Sequence, residues 1–279
     1  MVSREKRTTR PVDVSRRRTE ALRVAPSRAR GVTVSGAAAV PEKRGQETAS
    51  GGPPPGSVDP RLIIWLSPSF PVGAFAYSHG LELAADRGWV RNRDDLASWM
   101  ADLVVNGSVR NDSVLLAAAW RAVAVTEYNA LQDANDLALA LQPSAERRLE
   151  TVTQGNAFLS TLAAAWPADK LASVVTALSG DIAYPVAVGA GAAAHGIALG
   201  GVLRAYAIAF VTNLVSAAIR LSIVGQTDGQ RVIASLMPSI GRVADDAFSS
   251  VLGDVGGATL RSDLASLAHE TQYSRLFRS

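Results

Sequence analysis

The sequence predicts an all-α protein: a single helical-bundle domain of roughly ten helices with a disordered N-terminal extension. Three observations lead there. The hydrophobic fraction is 48% while aromatics make up only 6%, so Ala and aliphatic residues carry the apolar content, which favours close helix packing over sheets. Apolar residues recur at helical spacing from Pro60 onward, and alternating runs bounded by hairpin turns are hard to find. The stretch before Pro60 shows neither period.

That first stretch, residues 1–57, contains Arg16, Arg17 and Arg18, scattered Pro and Gly, and ends in Gly51-Gly-Pro-Pro-Pro-Gly56. It buries too little apolar surface to offset its ordering entropy and is expected to be disordered. It lacks the apolar centre of a secretory signal, and its acidic residues count against a transit peptide. A true start further downstream is the other reading. Charge divides at the same place: residues 1–60 carry a net +6 and residues 61–279 a net −3, within a total of +3. The basicity belongs to the leader, so nucleic-acid binding by the whole chain is excluded. Cysteine is absent, which removes disulfides and thiolate metal sites and fits a reducing, cytoplasmic compartment.

Residues 58–279 form the predicted domain. Pro68 and Pro71 fix a rigid entry to a helix expected near Gly73. Asn92, with Asp94 and Asp95 behind it, caps a helix that places Leu96, Trp99, Met100, Leu103 and Val104 on one face. Residues 114–125 read as the next helix. Pro143 or Ser144 opens another that carries Arg147, Arg148 and Glu150, and residues 171–178 run helically until Gly180 stops them. Asp228-Gly229 predicts a turn before a helical run at 232–236, and Pro238 is expected to open a further helix.

The most apolar stretch lies between. Residues 182–203 contain no Asp, Glu, Lys or Arg, long enough for a membrane span. Five glycines (189, 191, 196, 200 and 201), Pro185 and His195 make its transfer into lipid weak. Residues 205–219, between Arg204 and Arg220, are too short to span comfortably. Two helices buried at the centre of a bundle account for both stretches. The last segment, residues 269–279, carries Tyr273 and Phe277 at i, i+4 with Arg275 and Arg278 beside them. Apolar anchors interleaved with arginine suit docking onto a partner.

Site chemistry is otherwise sparse. Gly189-Ala-Gly191-Ala-Ala-Ala194 matches G-x-G-x-x-A, but no acid occurs between Asp181 and Asp228 to hold a ribose. Helix-packing glycines are the better reading. No lysine follows a glycine, so a phosphate-binding G-x-x-x-x-G-K loop is excluded. His79, His195 and His269 stand far apart with no partner at metal-ligand spacing, and no G-x-S-x-G elbow exists. The sequence offers no catalytic residue, no cofactor site and no metal site. Glu150 with Gln154-Gly155 reads as an ordinary helix face, and Phe75 as core.

Taken together, several of these segments resemble one family. Residues 67–82, Ser-Pro-Ser-Phe-Pro-Val-Gly-Ala-Phe-Ala-Tyr-Ser-His-Gly-Leu-Glu, are similar to the opening block of the urease accessory protein F (UreF) family. Glu150 with Gln154-Gly155, Tyr184-Pro-Val-Ala-Val-Gly189, Asn213-Leu-Val-Ser-Ala-Ala-Ile-Arg220, Gly225-Gln-Thr-Asp-Gly-Gln-Arg231 and the tail follow in the family's order. Val188 stands where Phe is common, and the leader is not a family feature. The resemblance implies an all-α assembly factor that tends to dimerise. It would join accessory proteins D (H in some organisms) and G on apo-urease, bridging D to the GTPase G for nickel insertion. Carried over by position, Tyr273, Arg275, Phe277 and Arg278 would lie in or near a partner-binding region, and Phe75 at a homodimer contact. A tail that orders only on binding is a further expectation. One alternative is direct regulation of the partner's GTP turnover, with Arg147, Arg220, Arg275 or Arg278 as an arginine finger. More remote are an all-α cofactor-binding enzyme and a membrane protein.

Overall fold

A computed structural model describes residues 58–279; the expected disorder of the leader lies outside the described residues. Among the described residues there are eleven α-helices, two short 3-10 turns and no strand. In chain order the helices are α1 (Pro60–Trp65), α2 (Leu81–Asp86), α3 (Arg93–Val105), α4 (Ser108–Ala124), α5 (Tyr128–Ala140) and α6 (Ala145–Ala165). They continue as α7 (Asp169–Ala177), α8 (Tyr184–Ala194), α9 (Leu199–Arg220), α10 (Gln226–Ser249) and α11 (Leu260–His269).

The bundle is organised around α8, which is buried almost throughout and packs on α4 and α6. Its glycines explain the close approach. A Cβ at Gly189 would stand 2.3 Å from the carbonyl oxygen of Leu116 on α4, and one at Gly191 would meet the side chains of Leu162 and Phe158 on α6. The G-x-G-x-x-A segment is thus helix packing. Gly155 on α6 allows the same approach to the chain entering α8, where a Cβ would lie 2.1 Å from the Ile182 oxygen.

Two apolar clusters fill the interior. One gathers α1, α4, α5, α6, α7 and α8 around Trp65, Phe158 and Leu116. The other joins α2, α3, α10 and the second half of α9 around Leu96, Met100, Leu214 and Ile240. Helix α9 is long and apolar enough to cross a membrane by length and composition, and 50% of its most apolar window is buried inside the bundle.

Several starts were legible. Asn92 caps α3 by accepting the N–H groups of Asp94 and Asp95, and Ser144 caps α6 by accepting that of Arg147. All five residues assigned to the buried face of α3 are buried. Other expectations need correction. The region near Gly73 forms only a one-turn 3-10 segment, Ala74–Ala76, and a full helical turn waits until α2. Asp228-Gly229 is no turn: α10 runs unbroken from Gln226 with Pro238 inside it. Leu236, Ile240 and Val243 stay buried in register on either side of that proline, and their packing outweighs the hydrogen bond it forfeits. Helix α5 and the extension of α6 to Ala165 went unseen.

Candidate partner-docking site

Helix α11 ends at His269, and the chain then turns back across α2 and α6. Main-chain groups hold it there. Glu82, at the start of α2, accepts the N–H of Leu276 on Oε1 at 2.6 Å and that of Phe277 on Oε2 at 2.9 Å. Further on, the Arg278 N–H donates to the Ala76 oxygen at 2.8 Å, and the Ser78 N–H donates to the Ser279 oxygen at 2.8 Å. The tail therefore lies beside the segment that carries Phe75. A sharp turn builds the other wall: His79 and Gly80 both adopt positive φ, 55° and 74°. A Cβ at Gly80 would come within 2.7 Å of the Ser266 nitrogen on α11, so only glycine fits that bend.

The five residues expected at interfaces fall into distinct places. Phe277 is buried, with the Arg220 guanidinium 4.4 Å above its ring. Tyr273 is wholly exposed and Leu276 is 66% exposed. Arg275 donates to Glu146 Oε1 at 2.6 Å, and the Arg278 side chain faces solvent. Phe75, 64% exposed, stands apart from the core that the sequence assigned it, at the rim of a cavity with Ile63 and Val58. The tail packs against a buried carboxylate that supplies the acceptors its N–H groups need.

Beneath the tail lies a polar cluster that the sequence did not reveal. Glu150 accepts from His79 Nε2 at 2.7 Å, Gln154 Nε2 at 2.9 Å, Ser279 Oγ at 3.1 Å and the Arg147 guanidinium. Burial alone would raise the Glu150 pKa, yet Arg147 chiefly, with the hydrogen bonds, holds it at about 2. His79 is pushed down by burial and then by Arg147, which leaves it neutral with its Nδ1 unpartnered. Asp112 accepts the Tyr206 hydroxyl at 2.7 Å; burial pushes its pKa up to about 6, against the pull of that bond. These groups floor an otherwise apolar cavity of about 500 Å³ that opens beside Phe75. Among the described residues no three His, Asp or Glu side chains form a group able to hold a metal ion. What the arrangement does chemically is fix a chain segment in place.

One signal for the clasp was available. Glu82 closes the opening block and Phe277 belongs to the tail block, and the structure brings those two blocks together. Outside the clasp, α11 exposes Leu260, Leu264 and Leu267, 72%, 50% and 47% accessible, at the i, i+4, i+7 spacing of one helix face.

The UreF family profile matches residues 90–237. Relatives named "Urease accessory protein UreF" extend the match. The one from Methylorubrum populi is 52% identical over 219 residues, covering 78% of this chain and 98% of the relative. That from Azorhizobium caulinodans is 49% identical over 231 residues, 83% of this chain and 99% of the relative. A third, from Xanthobacter autotrophicus, is 51% identical over 218 residues, 78% and 90% of the two chains. The chain belongs to the UreF family. As a UreF protein it is a urease accessory protein by family.

Proposed function

We propose that this UreF protein is a non-enzymatic, cytoplasmic assembly factor that bridges accessory proteins D (H) and G on apo-urease, as a homodimer, for GTP-dependent nickel insertion. The observation that carries the reading is the set of exposed apolar side chains on α11 and in the tail that follows it, the tail being held by the Glu82 carboxylate. Exposed large apolar side chains beside arginine suit docking onto a partner. Tyr273 and Leu276 supply apolar contacts there, Arg275 and Arg278 supply charge, and Phe277 pins the segment from below. Phe75 and Ile63 form a second apolar patch, which we assign to the homodimer.

The test is co-expression with proteins D and G followed by size exclusion. Leu264→Asp with Tyr273→Ala, both on exposed positions, should remove the three-part complex while the chain stays folded. Intact assembly by the folded double variant would refute the surface.

A second reading, direct regulation of GTP turnover by protein G, has one structural point in its favour. Arg147 and Arg275 are held in ion pairs and Arg220 stacks on Phe277, whereas the Arg278 guanidinium has no ion-pair partner among the described residues. Single-turnover hydrolysis by G, with wild type and with Arg278→Ala, separates the readings. A rate that responds to the chain and not to the variant would remove the arginine-finger route.

A further inference from the structure

The proposed docking and dimer surfaces leave the interior of the cavity beside Phe75 without a use. Its walls are apolar, with Leu62, Leu66, Val72, Ile208 and Phe210 among them, and its volume of about 500 Å³ is that of a small-molecule site. Polar groups reach it from four helices: Asp112 from α4, Arg147 and Glu150 from α6, Tyr184 from α8 and Tyr206 from α9. Two of them have hydrogen-bonding capacity left over. Asp112 is only 9% exposed, and its Oδ2 accepts the Tyr206 hydroxyl. Its other oxygen, Oδ1, has no hydrogen-bond partner among the described residues. Tyr184 engages its main-chain N–H with Thr151 Oγ1, while its hydroxyl makes no hydrogen bond among those residues. Its ring lies 5.7 Å from that of Tyr206, so the two groups share one neighbourhood.

Charge is left over as well. The Arg147 guanidinium pairs with Glu150, and those two cancel. Asp112 forms no ion pair among the described residues, and Arg147 pulls on it more weakly than burial pushes. At a pKa of about 6 it is still ionised at neutral pH. The cavity thus carries one surplus negative charge, on a carboxylate mostly removed from water. Such a charge is costly until a cation meets it.

We propose that the cavity binds a small organic amine, whose ammonium donates to Asp112 Oδ1 and whose apolar body lies along the walls formed by Leu62, Ile208 and Phe210. The Tyr184 hydroxyl supplies a second polar contact for the head. A carboxylate ligand would set another negative charge against Asp112, and an alcohol would leave the existing one uncompensated. A lysine side chain from a partner carries the right head but fills little of the volume, and close packing disfavours the void that remains. A metal ion lacks a ligand set, since no three His, Asp or Glu side chains among the described residues form a group able to hold one.

Isothermal titration of the full chain with phenylbutylamine, phenylbutanol and phenylbutanoate tests the site, because the probes share one apolar body and differ in the head. The amine should bind about tenfold or more tighter than the alcohol, the weight of one charge-assisted hydrogen bond, and the carboxylate should bind least. Asp112→Asn removes the charge and keeps the shape, so it should erase the amine's advantage while the alcohol binds as before. Ala209 lies on the cavity wall. Ala209→Leu narrows the cavity without touching the carboxylate and should weaken amine and alcohol alike, which separates binding here from binding on α11. Equal affinities for amine and alcohol in the wild type overturn the proposal, and this comparison needs no variant to fold. An amine that does not bind overturns it too. So does an advantage that survives in Asp112→Asn, or amine binding that Ala209→Leu leaves unchanged.

Discussion

The Glu82 carboxylate on α2 accepts the main-chain N–H of Phe277, 195 positions further along the chain, at 2.9 Å. Because the acceptor is a side chain and the donor is backbone, the contact depends on residue 82 and hardly at all on the side chain at 277. Phe277 adds its own burial under Arg220. Two different kinds of interaction thus hold one point of the tail, and they separate by mutation.

Glu82→Gln keeps the shape and weakens two charge-assisted bonds, each worth roughly 1.5–3 kcal/mol. The expected outcome is a tail cleaved faster by a protease near Arg275, with the bulk melting transition little changed. Phe277→Ala should lower the melting temperature as well, by the 3–5 kcal/mol typical of a buried aromatic truncated in a core. Limited proteolysis beside calorimetry distinguishes the two.

Asp112 predicts a dependence on pH with a definite sign. Burial raises its pKa from 3.8 to about 6, so the unfolded chain ionises it before the folded one does. Its contribution is therefore fully present below the unfolded pKa and is lost as pH rises through about 6, by on the order of 2–3 kcal/mol. Asp112→Asn keeps an oxygen for the Tyr206 hydroxyl and should stabilise the protein at neutral pH by roughly 1–2 kcal/mol. Urea unfolding at neutral pH should show this gain, and it should vanish in acid.

Glu150 has the opposite sign. Its pKa is held at about 2 against an ordinary value of 4.5, so its contribution is present above the unfolded value and is lost as pH falls from about 4.5 to 2. Glu150→Gln strands a buried Arg147, and the expected loss is about 3–5 kcal/mol at neutral pH. The same urea titration, run downward in pH, should find the variant and wild type converging.

Gly155→Ala tests the packing around α8. The new methyl would start 2.1 Å from the Ile182 oxygen, and backbone cannot yield as a side-chain tip can. Destabilisation of at least about 1–3 kcal/mol is expected, read as a melting temperature lower by roughly 2–4 °C per kcal/mol. Gly241, with open space around it, is the control and should tolerate Ala.

Phe75→Asp tests the second patch. The side chain is 64% exposed, so the fold should change by no more than about 0.5 kcal/mol. Light scattering should report a dimer for the wild type, as proposed above, and a monomer for the variant.

The fold was largely legible because helix starts are local events. Asn92 and Ser144 announce themselves by side chains that accept N–H groups within a few residues, and the apolar face of α3 is written at regular spacing. Pro238 misled because local rules penalise it while burial of Leu236 and Ile240, which depends on distant partners, decides the matter. Most of the clasp was illegible for the same reason, beyond the hint from the two blocks that hold Glu82 and Phe277. Glu82, Glu146 and His269 sit on three helices, and nothing near any of them in sequence signals the other two. The exposed Tyr273 and Arg275 were found only because aromatics and arginines are conspicuous in a terminal segment, and Phe277 looked alike to them although it faces inward.

The clasp also sets an order of events during synthesis. At about 5–20 residues per second, Glu82 leaves the ribosome on the order of ten seconds or more before the amides it will bind have been made. Throughout that interval α2 carries a carboxylate with no partner and the wall opposite α11 stands open. The region that closes last in folding is therefore also among the first helical regions to appear.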